Sequence, residues 1–246
     1  MINFFRKIRK QLADQNKPLK YFRYAFGEIV LVMIGILLAL QVNNWNETRK
    51  DQRTLTNILQ NIAADMRVDA LNIKEIMEYS EEENKRIKSF LDHEDYSGFT
   101  RDSLEQNLVV YSYNTGWRRS GYDNLRDSGI TEFGDYSEVV KRIKEYYEYW
   151  IPNIISQEDE FEESVARSDN YWRFEENSYE FSYAKGLRSH QSDEEATAIL
   201  TTLLKSPIPR KILKTNYFYS DYLKGAYESY LVGIEGTVKE IELALK

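Results

Sequence analysis

Residues 24–47 read YAFGEIVLVMIGILLALQVNNWNE, and this stretch decides the architecture. Ile29 to Leu40 is an uninterrupted apolar run of 12 residues. Alone it is too short to span a bilayer, whose core of ~30 Å needs about 20 helical residues. Its flanks extend it: Tyr24, Ala25, Phe26 and Gly27 precede it, and Gln41 and Val42 follow. Tyr24 to Val42 is 19 residues, or roughly 28 Å at about 1.5 Å per residue. Tyr21, Phe22 and Tyr24 at one end and Trp45 at the other stand where an interfacial aromatic belt belongs. The pattern predicts one transmembrane helix over 24–42. A cleaved signal peptide needs a short basic start and a small-residue cleavage site. Here the start is over 20 residues long, and LLALQVNNWNE offers no good site. A buried soluble helix would need a larger protein wrapped around it.

Outward from the span, charge is uneven. Arg6, Lys7, Arg9, Lys10, Lys17, Lys20 and Arg23 precede it, whereas only Arg49, Lys50 and Arg53 follow up to residue 62. The positive-inside rule predicts a cytoplasmic segment over 1–23 and a domain over 43–246 on the far side of the membrane; in a bacterium the anchor then lies in the inner membrane and the domain is periplasmic. Phe4, Ile8 and Leu12 recur every four residues beside basic side chains. That spacing suits a short amphipathic helix lying on an anionic leaflet, although a solvated basic tail would orient the chain equally well. Arg6, Lys7, Arg9, Lys10, Lys20 and Arg23 are the candidate membrane-surface residues.

Glu28 is the one ionisable residue inside the span. One reading pairs it with Arg23 near the cytoplasmic edge, close to the positive end of the helix dipole. The other places it in a helix–helix interface. Ala25, Glu28, Val32, Gly35, Ala39 and Val42 recur at steps of 3, 4, 3, 4 and 3, a coiled-coil period. Gly35 and Ala39 also form a small-xxx-small pair that lets backbones approach. Glu28, Val32, Gly35, Ala39 and Val42 are therefore the candidate assembly residues, and a homo-oligomer is expected.

The chain has 246 residues, 30% of them charged and 42% hydrophobic, which suits a folded protein. Its net charge is −7, from 33 basic and 40 acidic side chains. Seven of the former and two of the latter lie in residues 1–42, so the remainder carries −12. An acidic domain argues against nucleic acid as a partner. With no cysteine, disulfide and thiol chemistry are excluded.

Past Trp45 the pattern stays helical. Leu55, Leu59, Ile62, Met66, Ile73, Met77, Ile87 and Leu91 keep a helical spacing, and no proline interrupts 19–151. One long helix is expected over 47–91, continuous with the membrane helix or close to it, with Asp69 and Ser80 weakening its stripe. Five glycines within 98–134 mark loops around short helices near 101–110 and 120–127. Val139, Ile143, Tyr147 and Trp150 line a further helix, which Pro152 is expected to kink or break. Ile154, Phe161, Val165 and Trp172 resume it. Residues 175–192 lack a period. A short helix follows near 193–205, and a last one over 209–245 with Leu223, Tyr227, Tyr230, Ile234, Val238, Ile241 and Leu245 on one face. The fold class is all-α: one transmembrane helix and an α-helical bundle. Most of the 19 tyrosines read as core or core-edge residues with surface hydroxyls, or as the lining of a binding groove.

The search for chemistry is mostly negative. His93 and His190 lie in polar stretches without triad or zinc spacing, and no nucleotide-binding glycine motif occurs. Glu158 and Glu162 are four apart and could share a helix face as metal ligands. Without the Glu-x-x-His pairs of di-iron bundles, a solvated face is the better reading. Arg101, Arg118, Arg119 and Arg126 offer an anion site or simple neutralisation of an acidic domain.

Three stretches carry a resemblance: FFRKIRKQL (4–12), GEIVLVMIGILLALQVNNWNE (27–47) and YDNLRDSGI (122–130). Together they resemble a family of uncharacterised single-pass membrane proteins of Bacteroidota, over nearly the whole chain. Glu28, Gly35, Asn43, Asn44, Trp45 and Asn46 match its juxtamembrane signature. The resemblance implies an inner-membrane anchor with a helical periplasmic domain and brings no activity or cofactor. The expectation is a non-enzymatic assembly or sensing protein, without cofactor or metal, whose partners are the lipid bilayer, further copies of itself and an unidentified protein. The alternative is a subunit of an ion-coupled complex with Glu28 as its protonatable group.

Overall fold

The computed structural model describes Lys7, residues 18–181 and residues 189–246, without the side chains of residues 18–21, 23 and 24. The fold is all-α, with no strand among the described residues. The first helix, α1, runs from Pro18 to Leu91, 74 residues without a break. Proline at its first position fits, because the N–H it lacks has no intrahelical partner there. The chain divides into two compact units, Met1–Leu55 and Thr56–Lys246.

In the first unit α1 carries the apolar run. Every residue from 31 to 50 is exposed, and Leu31 is 70% accessible. One helix near the N-terminus is thus long and apolar enough to cross a membrane. At its exit Thr48 Oγ1 donates to Asn44 O at 3.0 Å, and the Arg49 guanidinium stands 5.6 Å from the Trp45 ring centroid. These contacts one turn apart carry the helix through the asparagine-rich stretch.

The second unit is a helical bundle. After α1 come two short helices, α2 (Arg101–Leu108) and α3 (Ser120–Asp127). A 3₁₀ turn at Gly134–Tyr136 leads into α4 (Ser137–Glu145), a π turn (Tyr146–Trp150) and α5 (Ile151–Asn170). A second π turn (Tyr171–Glu175) ends this stretch, and α6 (Asp193–Leu204) and α7 (Pro207–Ala244) follow. Thr100 caps α2, and Ser192 with Glu195 forms a capping box on α6. α7 packs along α4 and α5, and α6 packs on α2 and α7. Ion pairs Lys74–Glu235 and Lys224–Glu81 align α7 antiparallel to α1.

Pro152 neither breaks nor ends the helix. The irregularity falls just before it, where Ile151 N–H bonds back to Tyr146 O across a wide π turn. The widened turn takes up the missing N–H and the ring bulk of a proline at the second position of α5.

The stripe of α1 is also more regular than its apolar residues suggest. Leu59, Ile62, Met66, Asp69, Ile73, Ser80, Asn84 and Ile87 are all buried, and half-buried Met77 fills the gap. Asp69 and Ser80 do not weaken the inward face. They are part of it, each 0% exposed.

Candidate functional site

The assembly residues read from the sequence lie on α1. Val32, Gly35, Ala39 and Val42 are exposed and Glu28 is half-buried. Lys7 is exposed. Arg6, Arg9 and Lys10 lie outside the described residues, as do Phe4, Ile8 and Leu12 and the side chains of Lys20 and Arg23.

The domain's polar centre was not foreseen. Residues 109–119 form no helix and lie across α1, α5 and α7, with Val110 and Thr115 buried and Tyr111, Ser112, Asn114, Gly116 and Arg118 exposed. The inward backbone groups of such a segment have no helical partner, so side chains must serve them. Three side-chain clusters tie it to the bundle, two of them through the Thr115 backbone. Tyr113 OH donates to Ser80 Oγ at 2.8 Å and lies 2.9 Å from Ser220 Oγ. Glu158 takes four donors: Thr115 N (3.0 Å), Thr115 Oγ1 (2.8 Å), Tyr227 OH (2.6 Å) and Trp117 Nε1 (3.2 Å). Asn72 Nδ2 donates to Thr115 O at 3.2 Å. Gly116, at φ 62, makes the turn between Thr115 and Trp117 in the left-handed region that favours glycine.

Past this turn, two carboxylates of α1 grip the chain. Asp69 Oδ1 accepts from Arg118 N at 3.2 Å. One turn earlier, Asp65 Oδ2 accepts from Ser120 Oγ at 2.9 Å and Gly121 N at 2.8 Å. This hydroxyl and this N–H belong to the start of α3, where a carboxylate is favoured. Gly121 lies so close to α1 that an added Cβ would sit 2.8 Å from Ile62 N. Asp69 differs from Asp65 in having no access to water. Burial pushes its carboxyl up from 3.8 to about 7, the Asp65 charge adds to this, and the Arg118 amide and guanidinium oppose it. Tyr146 and Tyr147, on the first π turn, are held far above the usual phenol range by burial and by the Asp69 charge.

Several readings from the sequence are corrected here. Glu158 is 5% exposed and sits in no solvated acidic face. Its oxygens are occupied by protein donors, whereas Glu162 is exposed. The hydroxyls of Tyr96, Tyr113, Tyr179 and Tyr227 are hydrogen-bonded inside the domain, and those of Tyr146 and Tyr147 are buried as well. Arg101 pairs with Glu105 and Tyr179, Arg126 with Asp123 and Asp127, and Arg119 stands over the Tyr122 ring. His93 and His190 are exposed. A signal for the polar centre existed: Asp69, Ser80 and Asn84 keep the register of the α1 stripe, and a polar residue in register needs an interior partner.

A groove of ≈ 690 Å³ runs between α5 and α7. Tyr171, Tyr219, Ile208 and Ile212 line it, and the Ser164–Asn216 hydrogen bond (2.7 Å) lies at its floor. That volume and mixed lining match the usual small-ligand cleft.

Residues 28–110 match the model of a family of unknown function, DUF6090. The matched region takes in α1 from Glu28 onward and all of α2, and ends at the start of the non-helical segment 109–119. It falls short of the near-whole-chain coverage that the resemblance implied. The chain matches no curated protein and no solved structure.

Proposed function

We propose that this protein is a single-pass inner-membrane protein that binds a partner or ligand through its helical domain and performs no catalysis. Its N-terminus is cytoplasmic and its bundle periplasmic. Copies associate through the α1 face of Glu28, Val32, Gly35, Ala39 and Val42. One observation carries the reading: the apolar run is presented outward. Ten large apolar side chains between Ile29 and Val42 are exposed. Leaving them in water costs roughly 10 kcal/mol or more in total. That rivals the whole net stability of a domain, about 5–15 kcal/mol, so lipid is the medium that fits. The groove between α5 and α7 is the proposed contact for the partner or ligand.

A phosphatase reporter fused after Lys246 tests the topology. It is expected to be active only outside the cytosol, and cytosolic activity overturns the reading. Crosslinking in native membranes tests assembly, with Gly35→Leu and Ala39→Leu expected to reduce the dimer several-fold. A monomer in all three forms removes the assembly claim. Glu28→Gln separates the ion-coupled alternative, which requires loss of function when the carboxylate cannot take a proton.

A further inference from the structure

Among the described residues eight buried side-chain polar atoms have no hydrogen-bond partner, and three of them are Asp69 Oδ2, Tyr146 OH and Tyr147 OH. Both hydroxyls come from the π turn that precedes α5, and both feel the Asp69 charge. A buried carboxylate with one unpaired oxygen is costly, whereas its protonated form is far less so. The other oxygen of the same carboxyl holds Arg118 N.

We propose that Asp69 and the Tyr146 and Tyr147 hydroxyls form a buried proton-binding site that sets how firmly residues 109–121 are held against α1. In the protonated state the neutral carboxyl and its bond to Arg118 N coexist without an unpaired buried charge. When the proton leaves, Oδ2 must draw in a donor. The donors at hand are the two tyrosine hydroxyls, which shift the π turn, and water, which wets the centre. Either response loosens the anchor on Arg118 and, through Asn72 and Glu158, the segment behind it. Other charges act on the site from each neighbouring element. Asp65 on α1 opposes ionisation and Arg118 favours it. Arg119 and Asp123 act on Tyr147, and Tyr230 of α7 acts on Tyr146.

The pH window follows from Asp69. Its carboxyl lies at about 7 in the folded chain against 3.8 ordinarily, so the folded state binds the proton more tightly. Stability is greatest below the ordinary value, falls as pH rises between the two, and levels off above the upper one. The site is therefore closed in mild acid and loosened in mild base.

The test is hydrogen exchange of the full chain in lipid nanodiscs from about pH 5.5 to about 8.5, corrected for intrinsic rates. Peptides covering 109–121 are expected to exchange roughly ten-fold faster at the upper end. Asp69→Asn is expected to stay protected throughout. The double variant His93→Gln/His190→Gln is expected to keep the step, because both histidines are exposed and neither contacts the site. Should Asp69→Asn fail to fold, Tyr146→Phe and Tyr147→Phe serve instead: removing a latent donor is expected to move the midpoint upward. A flat wild-type profile overturns the proposal. So does a step that survives in Asp69→Asn, or a midpoint unmoved in both phenylalanine variants.

Discussion

From Leu31 to Val42, α1 turns leucine, isoleucine and valine outward, whereas between Leu59 and Ile87 the same helix turns aspartate, serine and asparagine inward. The usual rule of apolar inside and polar outside is inverted in the first stretch and qualified in the second. Two physical causes account for this. In lipid, the medium proposed for the first stretch, a helix satisfies its own backbone and only its side chains need match the solvent, so an apolar surface is the stable one. In the bundle, two of the inward polar positions meet the non-helical segment: Asp69 accepts from Arg118 N, and Ser80 is bonded by Tyr113 OH. A buried carboxyl there takes the place of water for a backbone N–H that has no helical partner.

The comparison breaks most sharply in the first stretch. Ile34→Lys with Leu38→Lys adds two charges to the span at about 3 kcal/mol each, roughly 6 kcal/mol against insertion. The double variant is expected to wash from membranes at alkaline pH, while lysines placed at exposed bundle positions leave the fold and its location unchanged. In the second stretch the largest effect is expected at Glu158, whose removal strands four donors. Glu158→Ala is expected to cost about 3–5 kcal/mol in equilibrium unfolding followed by circular dichroism. Glu158→Gln should cost less, because the amide oxygen keeps part of the acceptor set. A Glu158→Ala chain as stable as wild type would show that the polar centre carries little of the stability.

A smaller effect sharpens the packing of the short helices. Gly121→Ala places a Cβ against the Ile62 backbone, and overpacking of this kind costs about 1–3 kcal/mol. Gly35 of the first stretch has nothing within 4 Å of an added Cβ in the single chain. Gly35→Ala is therefore expected to leave bundle stability unchanged within about 0.5 kcal/mol. Equal costs at the two glycines would erase the distinction between an element packed within the chain and one turned away from it.

Much of this was legible before any coordinates. An apolar run with basic residues on one side, proline-free stretches at helical spacing, and glycine-rich joints gave the helices nearly end to end, because these signals act within one or two turns. The capping residues Thr100 and Ser192 obey the same local logic. Glu158 was misread because a carboxylate in an acidic stretch looks the same whether it faces water or Trp117. Pro152 does not break the helix because its accommodation depends on a wide turn five residues long, placed just before it. The tyrosine hydroxyls were placed at the surface on average behaviour, and burial overrode the average for Tyr146, Tyr147 and Tyr227.

The sequence by itself determined that the chain is all-α, where its helices run, and that one of them is apolar enough for lipid. These follow from side-chain periodicity and from backbone groups that pair within a few residues of each other. Only the tertiary structure decided that residues 109–119 lie across the bundle helices, and that Asp69, Glu158 and Ser80 meet them there. Those partners lie tens of residues apart, and whether a carboxyl is paired or solvated depends on neighbours that the folded chain alone supplies.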